Sequence, residues 1–245
     1  MDGDGVDDVV NVYKKGWHNY NEDGEELFDY YVPTHRVLVE IIVCDTTFTW
    51  LYGNNDNSGE FSYSTTAFIL KTVDGKNCIV LGMDTGGTGY GSSALRVLAF
   101  NGEIYELPIP AFYGGGYGFE AEVTFVDGFK VDVFVPETEV IAGELEISEE
   151  YREYFCSDFN YYDENGKVNG EHCAWTDWIC SFGIRPITLD GQECVVITQY
   201  IWGISHPLGI GFLNSAITWD GIEYIVIGHS VSYDFNTDFE HYPWK

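Results

Sequence analysis

Six side chains stand in loops whose composition suits ligand contact. Tyr90 lies in residues 84–93 (DTGGTGYGSS), Tyr200, Trp202 and His206 in 200–211 (YIWGISHPLGIG), and Tyr113 and Tyr117 in the glycine-rich run 113–118. Rings held in such loops can stack on sugar faces or anchor a protein partner, since each offers a flat apolar face with a polar edge. The competing reading is that they pack between structural units. Other chemistry is weaker in the same loops. Gly86-Gly87-Thr88-Gly89 has the look of a phosphate cradle but lacks both a following lysine and a following helix. Ser205-His206 places a hydroxyl beside a base, and the 40 acidic residues could supply a glycosidase pair, yet spacing singles out no pair. No catalytic residue is assigned.

The two main loops correspond because the chain repeats itself around them. Asp74-Gly75 matches Asp190-Gly191, and Cys78-Ile79-Val80-Leu81 matches Cys194-Val195-Val196-Ile197. Beyond the loops, Leu98 matches Ile217, Phe100 matches Trp219 and Tyr105 matches Tyr224. Each copy reads as turn, apolar strand, variable loop, strand, turn and strand, so the two loops are expected at the same end of two units. Asp4-Gly5 and Asp127-Gly128 open two fainter copies. These anchors predict an all-β repeat domain over 1–245, of about four four-stranded units (1–60, 61–110, 111–146 and 183–235), with an irregular insertion at 147–182.

Composition agrees with strands. Aromatics are 17% of the chain, glycines number 28, and residues 36–51 and 120–136 read as hairpins. One short helix is predicted over 147–155, with Ser148 as N-cap and Glu149 and Glu150 in its first turn; a helical turn is read near 25–31. The net charge of −29 disfavours nucleic acid and acidic membrane surfaces, and no apolar run reaches the length of a membrane span. Cys78 and Cys194 are expected as buried free thiols, while Cys156, Cys173 and Cys180 could include a disulfide pair. The opening MDGDGVDD reads as the middle of an acidic turn, so the chain is expected to be a piece of a longer protein.

That opening, Asp2-Gly3-Asp4-Gly5-Val6-Asp7-Asp8-Val9-Val10, resembles the FG-GAP or VCBS repeats of integrin-like β-propellers, as the later Asp-Gly turns do more faintly. The TGGTGYGSSALRVLAFNG segment is similar to repeats in exported bacterial proteins. The resemblance implies a propeller-like arrangement, an extracellular or cell-surface location, and a calcium ion held by Asp2, Asp4, the Val6 carbonyl and Asp8. At Asp74 and Asp190 the acidic loop is cut short and Cys78 and Cys194 replace its terminal acid, so those two are expected to survive as hairpin turns. The function expected is a non-catalytic recognition module binding a glycan or protein through loops at one end of the sheets. A hydrolase with paired carboxylates and a structural spacer are the alternatives.

Overall fold

The computed structural model describes residues 8–16, 19–20, 26–27, 35–52, 64–86, 90–112, 116–235 and 244–245. Their regular structure is strand apart from one short helix and the π-helical turn after it. The chain begins with β1 (Val9–Gly16), a two-residue pair β2 (Asn19–Tyr20) and β3 (Glu26–Leu27), then β4 (His35–Val43) and β5 (Thr46–Leu51). Next come β6 (Ser64–Lys71), β7 (Asn77–Gly86), β8 (Ser92–Phe100) and β9 (Ile104–Glu106), followed by the small pair β10 (Ala111–Phe112) and β11 (Gly116–Tyr117). The rest holds β12 (Glu122–Val126), β13 (Lys130–Val135), β14 (Val140–Glu146), the helix α1 (Glu149–Glu153), β15 (Cys173–Leu189), β16 (Gln192–Trp202), β17 (Gly209–Trp219) and β18 (Tyr224–Ser232). The all-β expectation holds. Sheet membership differs from four sheets of four: three strands (β1-β4-β5), four (β6-β7-β8-β9) and seven (β14-β13-β12-β15-β16-β17-β18) form the main sheets. The stretches 111–146 and 183–235, expected as separate units, share the largest of them.

The three sheets form layers, and β7 shows why. Its Cys78 and Val80 enter one core cluster with the seven-stranded sheet, while Ile79, Leu81 and Met83 enter a second with Val37, Val39 and Ile41 of β4. Successive side chains of a strand point to opposite faces, so a strand covered on both sides must be apolar throughout. CIVLGM is such a run. β8 divides likewise, Leu95 and Val97 on one side, Ala94 and Leu98 on the other. β13 instead alternates, with Val131, Val133 and Val135 buried between half-buried neighbours.

The internal repeat is preserved in register. Ile79 pairs with Leu98 as Val195 pairs with Ile217, and Val80 with Val97 as Val196 with Ala216. Asp190-Gly191 is a two-residue turn between paired Leu189 and Gln192, both at positive φ (50° and 82°), which matches strand twist. Asp74 sits in a longer turn, where its carboxylate accepts the Thr72 hydroxyl at 2.6 Å and lies 3.0 Å from the Lys76 ammonium. The hairpins at 36–51 and 120–136 form as expected.

The helix begins where predicted, after Ser148, though no side-chain capping bond forms, and it passes into a π-helical turn at Tyr154–Asp158. Glu26 and Leu27 correct the helical turn read near 25–31, because they pair as strand with Asn19 and Tyr20. The disulfide expectation is also corrected. All six cysteines are free, and Cys156 donates its thiol to the Asp163 carbonyl. The seven-stranded sheet curls until β14 lies beside β18, where the Glu146 N–H donates to the Tyr233 hydroxyl at 2.7 Å. Among the described residues no helix is long and apolar enough to cross a membrane.

Candidate functional site: an aromatic surface on a bulged strand

β15 is the element that builds the site. Its ladder with β16 loses register twice, between Thr176 and Ile179 and between Ile179 and Ile184. Between the pairs Ile179–Gln199 and Ile184–Ile197, the four residues Cys180 to Gly183 face only Thr198, so β15 carries surplus backbone there that the ladder leaves unpaired. Phe182 at φ 60° marks the sharpest bend. Orphaned backbone groups then need partners. The Phe182 N–H donates to Asp84 Oδ1 at 3.1 Å, and the Ser181 N–H donates to the Tyr90 carbonyl at 2.9 Å. The Gln199 amide donates to the carbonyls of Asp177 and Phe119, both at 2.9 Å, while its Oε1 accepts the Phe119 N–H at 2.7 Å.

Asp84 is buried, and this shell accounts for it. Its carboxylate also accepts the hydroxyls of Ser64 and Ser93, the latter at 2.5 Å. A carboxylate out of water costs free energy unless donors surround it, and here donors come from β6, β8 and β15. Asp84 thereby ties the first repeat to the bulge of β15, just ahead of the second.

The two corresponding loops meet over this bulge. The Tyr90 ring lies 4.5 Å from Tyr200 and 4.9 Å, edge-on, from Phe212. Tyr200 donates its hydroxyl to the His206 carbonyl at 2.9 Å, and a Cβ at Gly209 would overlap that hydroxyl. Trp202 lies 4.6 Å from the His206 ring and stacks at 5.0 Å on Trp175, its cross-strand partner. One carboxylate fixes both orientations: Asp177 Oδ1 accepts the Trp202 indole N–H at 2.8 Å, and its Oδ2 lies 3.3 Å from His206 Nε2.

Exposure separates floor from surface. Tyr200 is 7% exposed, and burial pushes its phenol up to about 12, so it is a support. Tyr90 (42%), Trp175 (47%), Trp178 (45%) and Phe182 (62%) present open ring area, flanked by half-buried Trp202 and His206. Four of the six expected ligand residues are thus brought together. Tyr117 is not among them: its ring lies under the Arg96 guanidinium at 4.9 Å. Tyr113 lies outside the described residues. Trp175, Asp177 and Trp178 were missed, although the sequence AWTDW carried a signal, two indoles around an acid in a stretch otherwise read only as returning strand.

Residues 119–232 match the family model described as YybI C-terminal domain. The matched stretch is just under half of the chain and runs from the edge of β12 through β18. It contains Trp175, Asp177, Tyr200, Trp202 and His206 but not Tyr90 or Asp84, which reach the site from the preceding four-stranded sheet. No curated protein and no solved structure matches the chain. Of the calcium ligands expected, Asp2, Asp4 and Val6 lie outside the described residues; Asp8 stands directly before β1. Among the described residues no group of three or more His, Cys, Asp or Glu side chains is assembled to hold a metal.

Proposed function

We propose that the chain is a non-catalytic recognition module that binds a glycan through the aromatic surface of β15 and the 202–209 loop. The observation carrying this reading is the Trp175–Trp202 stack locked by Asp177, with the open ring of Trp178 on the same strand and that of Tyr90, whose carbonyl accepts the Ser181 N–H, beside Tyr200. A sugar ring needs an apolar face to lie on and nearby polar groups for its hydroxyls, and Trp175 with His206 and Asp177 supplies both. Fixed rings also cost little entropy on binding. The layered sheets provide the rigid support that a binding loop requires, so the role does not depend on a propeller-like ring of blades.

The hydrolase alternative fares less well on the same residues. Both Asp177 oxygens are engaged by Trp202 and His206, and Asp84 is occupied by two hydroxyls and a backbone N–H. Neither is left as a free acid or base. A glycan array probed with the full chain tests the proposal, with Trp175→Ala as its control. Binding that falls at least about tenfold in Trp175→Ala supports the reading, that factor being about 1.4 kcal/mol. No glycan bound by a folded wild-type chain would remove it. Capture of a defined protein partner lost in the same variant would replace the glycan with a protein.

A further inference from the structure

A second candidate site is built from other residues, at the open end of the layer between the three-stranded and four-stranded sheets. There the β4–β5 hairpin, the turn before β7 and the β8–β9 hairpin surround a cleft of about 500 Å³, within the size range of small-molecule sites. Its apolar lining is Val43, Phe48, Phe100 and Tyr105, with Phe48 and Phe100 edge-to-face at 4.8 Å. Val43, Phe48 and Phe100 also belong to the second core cluster, whose margin this cleft marks.

The rim carries the charge. Lys76 lines the cleft, but its ammonium is 3.0 Å from the Asp74 carboxylate and is offset by it. Asp45 and Glu103 are exposed, each adjoins a lining residue in sequence, and neither has an ion-pair partner among the described residues. Counted over the described residues, the rim is therefore net negative, in a chain whose net charge is −29. Ring faces are negative as well, and a cation held over them is attracted by the quadrupole. An anionic ligand would oppose both fields.

We infer that this cleft binds a small aromatic organic cation, an arylalkylamine or aryl quaternary ammonium, with its ring against Phe48, Phe100 and Tyr105 and its charge toward Asp45 and Glu103. The test is saturation-transfer NMR and titration of the full chain with benzyltrimethylammonium at 0.15 M salt, a level that screens general attraction to the acidic surface. Benzyl alcohol and benzoate serve as neutral and anionic probes. The cation is expected to bind at least about tenfold more tightly than the alcohol, with benzoate weakest. Thr46→Trp, a change at an exposed lining position that fills the mouth, abolishes binding, and the pair Asp45→Asn with Glu103→Gln brings the cation down to the level of the alcohol. Trp175→Ala leaves it unchanged, which separates this cleft from the glycan surface. Near-UV circular dichroism checks that each variant is folded. No binding of the cation, equal binding of the three probes, or cation binding that survives Thr46→Trp overturns the inference.

Discussion

His229 shows how much one buried side chain sets. Its Nδ1 is 2.8 Å from the Ser215 hydroxyl, the Phe119 ring meets it edge-on at 5.0 Å, and burial lowers its pKa from 6.5 to about 4. The fold thus excludes the imidazolium, whereas the unfolded chain accepts the proton near pH 6.5. Stability from this group is complete above that value and is lost as pH falls towards 4, by roughly 3 kcal/mol in all. Below 4 both states are protonated and the group adds no further slope. The carboxylates of Asp74, Asp163 and Asp220, held below the usual 3.8 by the hydroxyl and backbone N–H donors around them, lose their contribution only at still lower pH. Urea midpoints measured between pH 7 and 4.5 should fall in the wild type and fall less in His229→Gln. Thiols are sorted by the same physics. Burial pushes Cys78 and Cys180 up to about 12 and Cys194 to about 11, while Cys44 and Cys173 are exposed. A disulfide reagent at pH 8 should therefore label Cys44 and Cys173 first, and the three buried thiols only on unfolding.

At the scale of the element, the repeat made the paired strands and their turns legible. Matching Cys78 to Cys194 and Leu98 to Ile217 carries information about both strand and register, because one face of each must stay apolar. The same comparison placed Tyr90 and Tyr200 at one end of two units, and their rings do touch. What it could not reveal was the bulge. Residues 177–183 carry no period, and extra backbone in a ladder is stabilised by distant partners such as Asp84 and Tyr90, which no local pattern announces. Trp175, Trp178 and Asp177 were overlooked for that reason, since a two-residue period would have sent their neighbours to alternate faces. Gly183 is where the bulge can be tested. A Cβ there would stand 2.8 Å from the Cys180 carbonyl oxygen and 2.9 Å from that of Thr198, both backbone. Gly183→Ala must displace one strand, so a loss of about 2–3 kcal/mol is expected in chemical denaturation, together with loss of the glycan binding proposed for the Trp175–Trp202 surface. A variant as stable as wild type would show that the two strands do not approach so closely.

For the whole molecule, layering decides what can stand alone. The stretch 119–232 that matches a family model contains the whole seven-stranded sheet, yet its core is completed by Leu70, Cys78, Val80, Leu95 and Val97 of the preceding four-stranded sheet. Opposite them are Val195, Ile197, Ile217 and Trp219, all fully buried. Removing the four-stranded sheet would uncover that face. At about 1.5–3 kcal/mol for each side chain returned to water, four such residues cost about 6–12 kcal/mol, comparable with the total stability of an ordinary domain. The Asp84 and Tyr90 contacts to the bulge would go too. Residues 116–245 expressed alone are accordingly expected to bind a hydrophobic dye and to melt without a cooperative transition, and co-expression with residues 1–115 should restore both cooperativity and the Tyr90 contact to Tyr200 at the aromatic surface. Calorimetry on the purified fragment checks this directly. A monomeric fragment with a sharp transition would mean that the curled sheet, with β14 lying beside β18, holds its own core, and that the first two sheets contribute the Tyr90 edge of the site rather than its fold.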